Sequence, residues 1–316
     1  MQAPFAEAAE KSLPKLAGLR LSESTVERAA EAAGQRVAEA LRRGAVFGEA
    51  RDWDWHHDAE GKTVAYVSAD ATGVGQQGEG GAKAEGRMAN VVALYNPVPE
   101  PAERWADPAG PRPRWQGRYL AGLRPLAEFT EPARRQGAQI GMDRAERWIA
   151  LSDGGAGLED WLQATFPRVE AVILDFYHVA EYLGDLAKAW YPKDEAVAEA
   201  QRQAWCHQLK HEGGTTLWAA LEQLDLRGRS AAARAVHATV VGYFANQAHR
   251  MDYPTYIGKG WHIGSGSIES ACKTVVGMRL KGAGMRWGEQ GADGLCHLRA
   301  LFRSEKGQWE DFWGRN

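Results

Sequence analysis

The clearest pattern in the chain is a series of short apolar runs, three of which close on a carboxylate. Residues 63–70, Thr-Val-Ala-Tyr-Val-Ser-Ala-Asp, are rich in β-formers and predict a strand ending at Asp70, before the glycines at 73 and 75. Residues 87–95 predict a second strand, folded back on the first as a hairpin through the glycine-rich stretch 76–86. A short third strand is predicted at 118–122. A fourth covers 147–153 and ends at Asp153, with Gly154 and Gly155 after it. A fifth covers 169–175 and ends at Asp175. Between the last two, residues 158–167 read as an amphipathic helix stopped by Pro167. Strand, helix and strand in that order imply two parallel strands joined by a right-handed crossover.

Elsewhere the apolar period is helical. Residues 4–50 read as two helices with a break near Leu13-Pro14 and Leu19. Ser24-Thr-Val-Glu27 has the form of a capping box, and Val26, Ala30, Val37 and Leu41 fall on one side of the second helix. Such a pair either packs on the body or reads DNA. Residues 97–114 hold six of the 13 prolines and predict an extended loop. A helix is predicted over 126–142, with Arg134 and Arg135 on a solvated face, and another over 179–190. From 193 to 252 Trp205, Leu209, Trp218, Leu221 and Leu224 recur without any strand signal, which marks a helical insertion. Gly264-Ser-Gly-Ser-Ile-Glu269 then opens a helix that Ser265 or Ser267 can cap, continued by Ala271, Val275, Val276 and Met278. A last helix covers 292–303. The division that follows is an N-terminal helical segment 1–50, a core in two parts (51–190 and 259–316), and an insertion at 191–258.

Composition narrows the function classes. Apolar residues make up 44% and charged residues 25% of the 316, an ordinary globular balance. No apolar run is long enough to span a membrane, and the first residues lack the form of a signal peptide. Cys206, Cys272 and Cys296 are scattered, which fits a reducing cytoplasm and disfavours a structural zinc site. A net charge of −3 argues against a DNA-coating protein but leaves room for a local basic groove. One such run is Lys273, Arg279, Lys281 and Arg286, uninterrupted by any acid; it is either a wet surface or a track for phosphates.

A lone strand-end aspartate is a common turn residue, and Glu269 taken alone does no more than complement a helix dipole. The order of elements gives the acids a shared meaning. A hairpin, a third strand, a helix, strand–helix–strand, a helix, an insertion and a glutamate-bearing helix is the order of an RNase H-like mixed five-stranded sheet with flanking helices. There the first and fourth strands are neighbours, so Asp70 and Asp153 point at one place, and the late helix can bring Glu269 to it. Three such carboxylates repel unless cations sit between them. Two Mg²⁺ or Mn²⁺ ions about 3.5–4 Å apart would relieve the repulsion and drive in-line phosphoryl displacement.

The motifs Val67-Ser-Ala-Asp-Ala-Thr-Gly-Val74, Ser152-Asp-Gly-Gly155, Leu174-Asp-Phe-Tyr-His-Val-Ala-Glu-Tyr-Leu183, Gly264-Ser-Gly-Ser-Ile-Glu-Ser270 and Met285-Arg-Trp287 resemble those of ISKra4-family insertion-sequence transposases, over about residues 60 to 303. The resemblance implies a DDE transposase with Asp70, Asp153 and Glu269 as catalytic metal ligands and Lys273, Arg279, Lys281 and Arg286 along DNA. It further implies double-stranded DNA as partner, a homo-oligomer on paired ends and a nucleoid-associated cytoplasmic location. Asp175-Phe-Tyr-His178 is also similar to the C/D-x-x-H motif of hAT and Mutator-type transposases, where a tryptophan of the insertion can stack on DNA; Trp205 and Trp218 are the candidates here. Asp175 competes with Asp153 for the second aspartate position. Strand order favours Asp153 and gives Asp175 and His178 a supporting role. Only about 60 residues precede the first strand, so an end-recognition domain is expected to be reduced or missing. The competing functions are a DNA-binding protein that has lost cleavage and an RNase H-like nuclease without strand transfer. A carboxylate-pair glycosidase is more remote.

Overall fold

The computed structural model describes residues 4–96, 116–264 and 266–315. The proline-rich stretch and the serine at 265 lie outside them. The sheet has six strands: β1 (His56–His57), β2 (Thr63–Gln77), β3 (Lys83–Asn96), β4 (Gln116–Gly122), β5 (Arg147–Ser152) and β6 (Val169–Leu174). Their order is β4-β3-β2-β5-β6, with β1 paired to β2. β3 runs antiparallel to both β2 and β4, while β5 runs parallel to β2 and β6 parallel to β5. The expected five strands are therefore present with a sixth added. That extra strand is two histidines long, and no alternation could announce it.

The first strand does not stop at Asp70. It runs on to Gln77 through both glycines, paired with β3 at Gly73↔Met88 and Val74↔Arg87. Ladder partners on β3 outweigh the poor β-propensity of glycine here. The true turn comes later, where Gly80 and Gly81 take left-handed φ values of 62° and 83°. The parallel pairing of β2 with β5 nevertheless ends at Ser68↔Leu151. Asp70 thus stands where β2 leaves its parallel neighbour and continues as a two-stranded ribbon.

Alternation along β2 sorts its side chains between two cores. Val64, Tyr66 and Val74 face one of them, together with Leu183 and Leu186 of α4 (Phe176–Trp190), Leu209 and Leu217 of α5 (Glu195–Glu222), and Val240 and Phe244 of α6 (Ala231–Gln247). Ala65, Val67 and Ala69 face the other, with Val37 and Leu41 of α1 (Glu23–Arg42), Ala133 of α2 (Thr130–Gln139) and Leu162 of α3 (Leu158–Thr165). The insertion thus shares one continuous core with the sheet. Trp205 is buried in that core and has no free face to stack on a base, while Trp218 is partly buried and packs against the same core.

One cap differs from expectation in a small way. Ser22, not Ser24, caps α1, its hydroxyl accepting from the Thr25 N–H at 3.2 Å. The chain before it is helical from Phe5 to Ala17, with no break at Leu13-Pro14, and turns at Gly18, beside the other expected break at Leu19. α7 (Tyr253–Gly258) follows the insertion. α8 (Gly266–Ala271) continues as a π-helical turn, Cys272–Gly277, and then Met278–Leu280. α9 (Glu289–Arg303) lies along β4 and crosses α1 at a pair of glycines: a Cβ on Gly34 would sit 2.0 Å from the Gly294 carbonyl oxygen. That crossing makes α1 a packing helix of the body. A short α10 (Gln308–Gly314) ends the described chain. Among the described residues no helix is long and apolar enough to cross a membrane.

Candidate active site

Asp70 lies on the face of β2 that carries Tyr66 and Thr72. Its Oδ1 accepts the Ala71 N–H at 2.6 Å and its Oδ2 accepts the Cys272 thiol at 3.2 Å. Burial pushes its carboxyl above the usual carboxylate range, and the charge of Asp153 adds to the rise. The Cys272 bond, the Ala71 bond and the charge of His178 act in the opposite direction. Asp153, Cys272 and His178 therefore all act on Asp70 at one end of the sheet.

Asp153 is the first residue past β5. Its Oδ1 accepts the Gly155 N–H at 2.9 Å, and its carbonyl accepts the Tyr243 hydroxyl at 3.3 Å. The chain turns away at Gly154, with a left-handed φ of 88°. A Cβ there would press on Leu174 and on the Tyr243 oxygen, at 2.9 and 3.1 Å. Tyr243 comes from the insertion, and its ring stacks on Tyr182 with centroids 4.1 Å apart. Arg250, buried just after α6, donates to the Val172 carbonyl at 3.0 Å and to the Ser152 hydroxyl at 2.5 Å. It thereby fastens the ends of β5 and β6 together below Asp153.

Asp175 is the first residue past β6 and is only 1% exposed. It caps α4, its Oδ1 accepting the Tyr177 N–H at 3.0 Å, and its own N–H donates to the Ser152 carbonyl at 2.9 Å. His178 follows one turn later, partly exposed, edge-on to Tyr182 and with Nδ1 3.6 Å from a Glu181 carboxylate oxygen.

Glu269 is exposed, on the flank of α8. Ile268, Ala271, Cys272, Val275 and Val276 form the buried side of this helix and its continuation. Three residues of helix separate Glu269 from Cys272 by about 60° around the axis. The helix thus lies over Asp70 through Cys272, with Glu269 beside that contact. Among the described residues, no three His, Cys, Asp or Glu side chains are gathered closely enough to hold a metal ion as they stand. The π turn after Cys272 opens the helical ladder, and Arg299 of α9 answers it: its Nε donates to the Val275 carbonyl at 2.6 Å, and its Nη2 to that of Thr274.

The cation run divides. Lys273, Lys281 and Arg286 are exposed, and Lys281 Nζ donates to the Thr72 hydroxyl at 2.9 Å, two residues along from Asp70. Arg279 does not belong with them. It is 5% exposed, with its guanidinium 3.9 Å from the Phe5 ring centroid and 5.1 Å from that of Trp287. The run was read as one surface because the sequence does not show that the N-terminal helical stretch folds over its middle.

Cys272, Tyr243, Arg250 and Arg299 are site residues that sequence reasoning missed. Only Cys272 carried a signal, its spacing of three from Glu269. No protein-family model matches the chain, and no curated protein matches it.

Proposed function

We propose that the chain is a DDE-type transposase with an RNase H-like core, which cleaves DNA strands and joins their 3′-ends to a target. The observation that carries this reading is the pairing of Asp70 with Asp153. They stand on adjacent parallel strands, at the end where β5 stops, close enough for one charge to raise the other's carboxyl. A strand order with three antiparallel strands followed by two parallel ones supports it.

The donors are hard carboxylate oxygens, which suit Mg²⁺ or Mn²⁺. Asp70 and Asp153 would hold such ions, with Glu269 as the third ligand. Bound, the ions would activate the attacking oxygen and stabilise the leaving one. Asp175 orients α4 and His178. Lys273, Lys281 and Arg286 would face phosphates. Tyr177, 64% exposed beside Asp175, rests against the backbone of Gly264, where a Cβ would lie 2.6 Å from its ring, and offers a face to a base. The partner would be double-stranded DNA, bound by more than one copy of the chain at paired ends.

The test is incubation of the purified chain with DNA carrying its element's ends and Mn²⁺ or Mg²⁺. Nicked and joined products support the reading, and their loss in Asp153→Asn ties them to the site. Cut but unjoined strands would indicate a nuclease. The exposed Glu269 favours a second reading, a DNA-binding descendant without cleavage; DNA retention with no cut product in either metal would establish it.

A further inference from the structure

α5 carries His207 and His211 one helical turn apart, and both are exposed. Their rings face each other with centroids 4.3 Å apart and planes at 46°. Among the described residues neither imidazole has a hydrogen-bond or ion-pair partner; each has the other ring as its contact. The neighbouring charged groups are engaged elsewhere. Lys210 Nζ lies 5.4 Å from the Phe176 ring centroid, Glu212 accepts from Gln208 at 3.0 Å, and the Cys206 sulfur sits 3.9 Å from an Arg202 nitrogen.

We propose that His207 and His211 form a two-imidazole site for a borderline transition metal, Ni²⁺, Cu²⁺ or Zn²⁺, on the outer face of the insertion. Two histidines four apart on one face of a helix are the spacing at which a single ion reaches both rings. Imidazole nitrogen selects these metals over Mg²⁺ and Mn²⁺, which take oxygen. The sequence between them, Gln208-Leu209-Lys210, has no glutamate at the position that serves as general base in a zinc hydrolase, so the site binds metal without hydrolytic chemistry. Water completes the coordination, which makes the ion exchangeable. The pair ends two residues before Gly213, where α5 breaks with φ 84°. An ion bridging the rings fastens the turn ahead of that break, and the helix holds both imidazoles in register for it, so it binds the folded chain more tightly than the unfolded one and stabilises the fold. None of this depends on the transposase reading.

The test is a calorimetric titration of the chelator-stripped full chain with NiCl₂ in excess Mg²⁺, paired with thermal unfolding. The expected result is one equivalent of Ni²⁺ bound and a rise in Tm. His207→Ala and His211→Ala should each weaken binding by about tenfold or more, since losing a ligand costs no less than losing its outer-shell partner. Both positions are exposed, so the variants should keep the parent's circular dichroism. One equivalent bound with undiminished affinity by the double variant would overturn the proposal, and so would a parent chain that takes up no Ni²⁺.

Discussion

The thiol of Cys272 donates to Oδ2 of Asp70 at 3.2 Å, and this bond ties the glutamate-bearing helix to β2 just beyond its parallel pairing with β5. Burial, then Asp70 itself, pushes the Cys272 thiol far up, so the sulfur stays protonated and remains a donor. Cys272→Ala leaves Asp70 without that donor. A hydrogen bond of this kind contributes about 1 kcal/mol, so strand nicking should fall roughly five- to tenfold. Cys272→Ser keeps a donor and should lose less. In the native chain a disulfide reagent should find no fast thiol, because burial also raises Cys206 and pushes Cys296 up to about 12. All three should react after unfolding.

The two strand-end aspartates separate by substitution. Asp153→Asn should abolish metal-dependent nicking. Asp175→Asn should keep more of it, because asparagine caps a helix about as well as aspartate. Asp175→Ala loses the cap and should lower unfolding stability by about 1 kcal/mol, read from urea titrations. The opposite ranking in nicking would hand the second catalytic position to Asp175.

The cation run makes a prediction through salt. Lys273→Ala and Arg286→Ala should each reduce the slope of log affinity against log salt by about 0.9 if each side chain meets one phosphate. Arg279→Ala should leave that slope unchanged. It should instead lower Tm, since the guanidinium is packed between Phe5 and Trp287.

Acid stability should depend on His262. Burial, with the His56 ring as a second cause, holds this imidazole down at about 4. In the unfolded chain it returns to about 6.5. Between those values the unfolded state binds the proton and the folded state does not, so stability is full above the upper value and is lost as pH falls toward the lower one. His262→Gln should flatten the pH dependence of unfolding free energy across that window by up to one proton. His297, also lowered by burial, should leave a residual slope of the same sign.

Much of this architecture was legible in the chain, for reasons that particular residues show. β5, β6 and α3 announced themselves because both strands are short and apolar and Pro167 closes the helix between them. Asp153 and Asp175 were read as the last residues of their strands and stand one position beyond them. Asp70 was misread as an end because Gly73 and Gly75 look like a stop, and only the pairing with β3 carries the strand through them. Arg279 and Arg299 look alike in sequence to any surface arginine. Their burial depends on Phe5, Trp287 and a widened helical turn, contacts made by segments far apart along the chain. Tyr243 was one aromatic among many in a helical stretch, and its bond to the Asp153 carbonyl exists only once the insertion has folded back.

That return of the insertion bears on how the protein can be dissected. The pair Tyr243 and Arg250 holds the loop of Asp153 from outside the sheet, while Leu209, Leu217 and Phe244 roof the same side as α4. A trimmed chain lacking 191–258 would therefore not keep the arrangement around Asp153. Its central helix would lie bare, and the acidic loop would have lost its anchor.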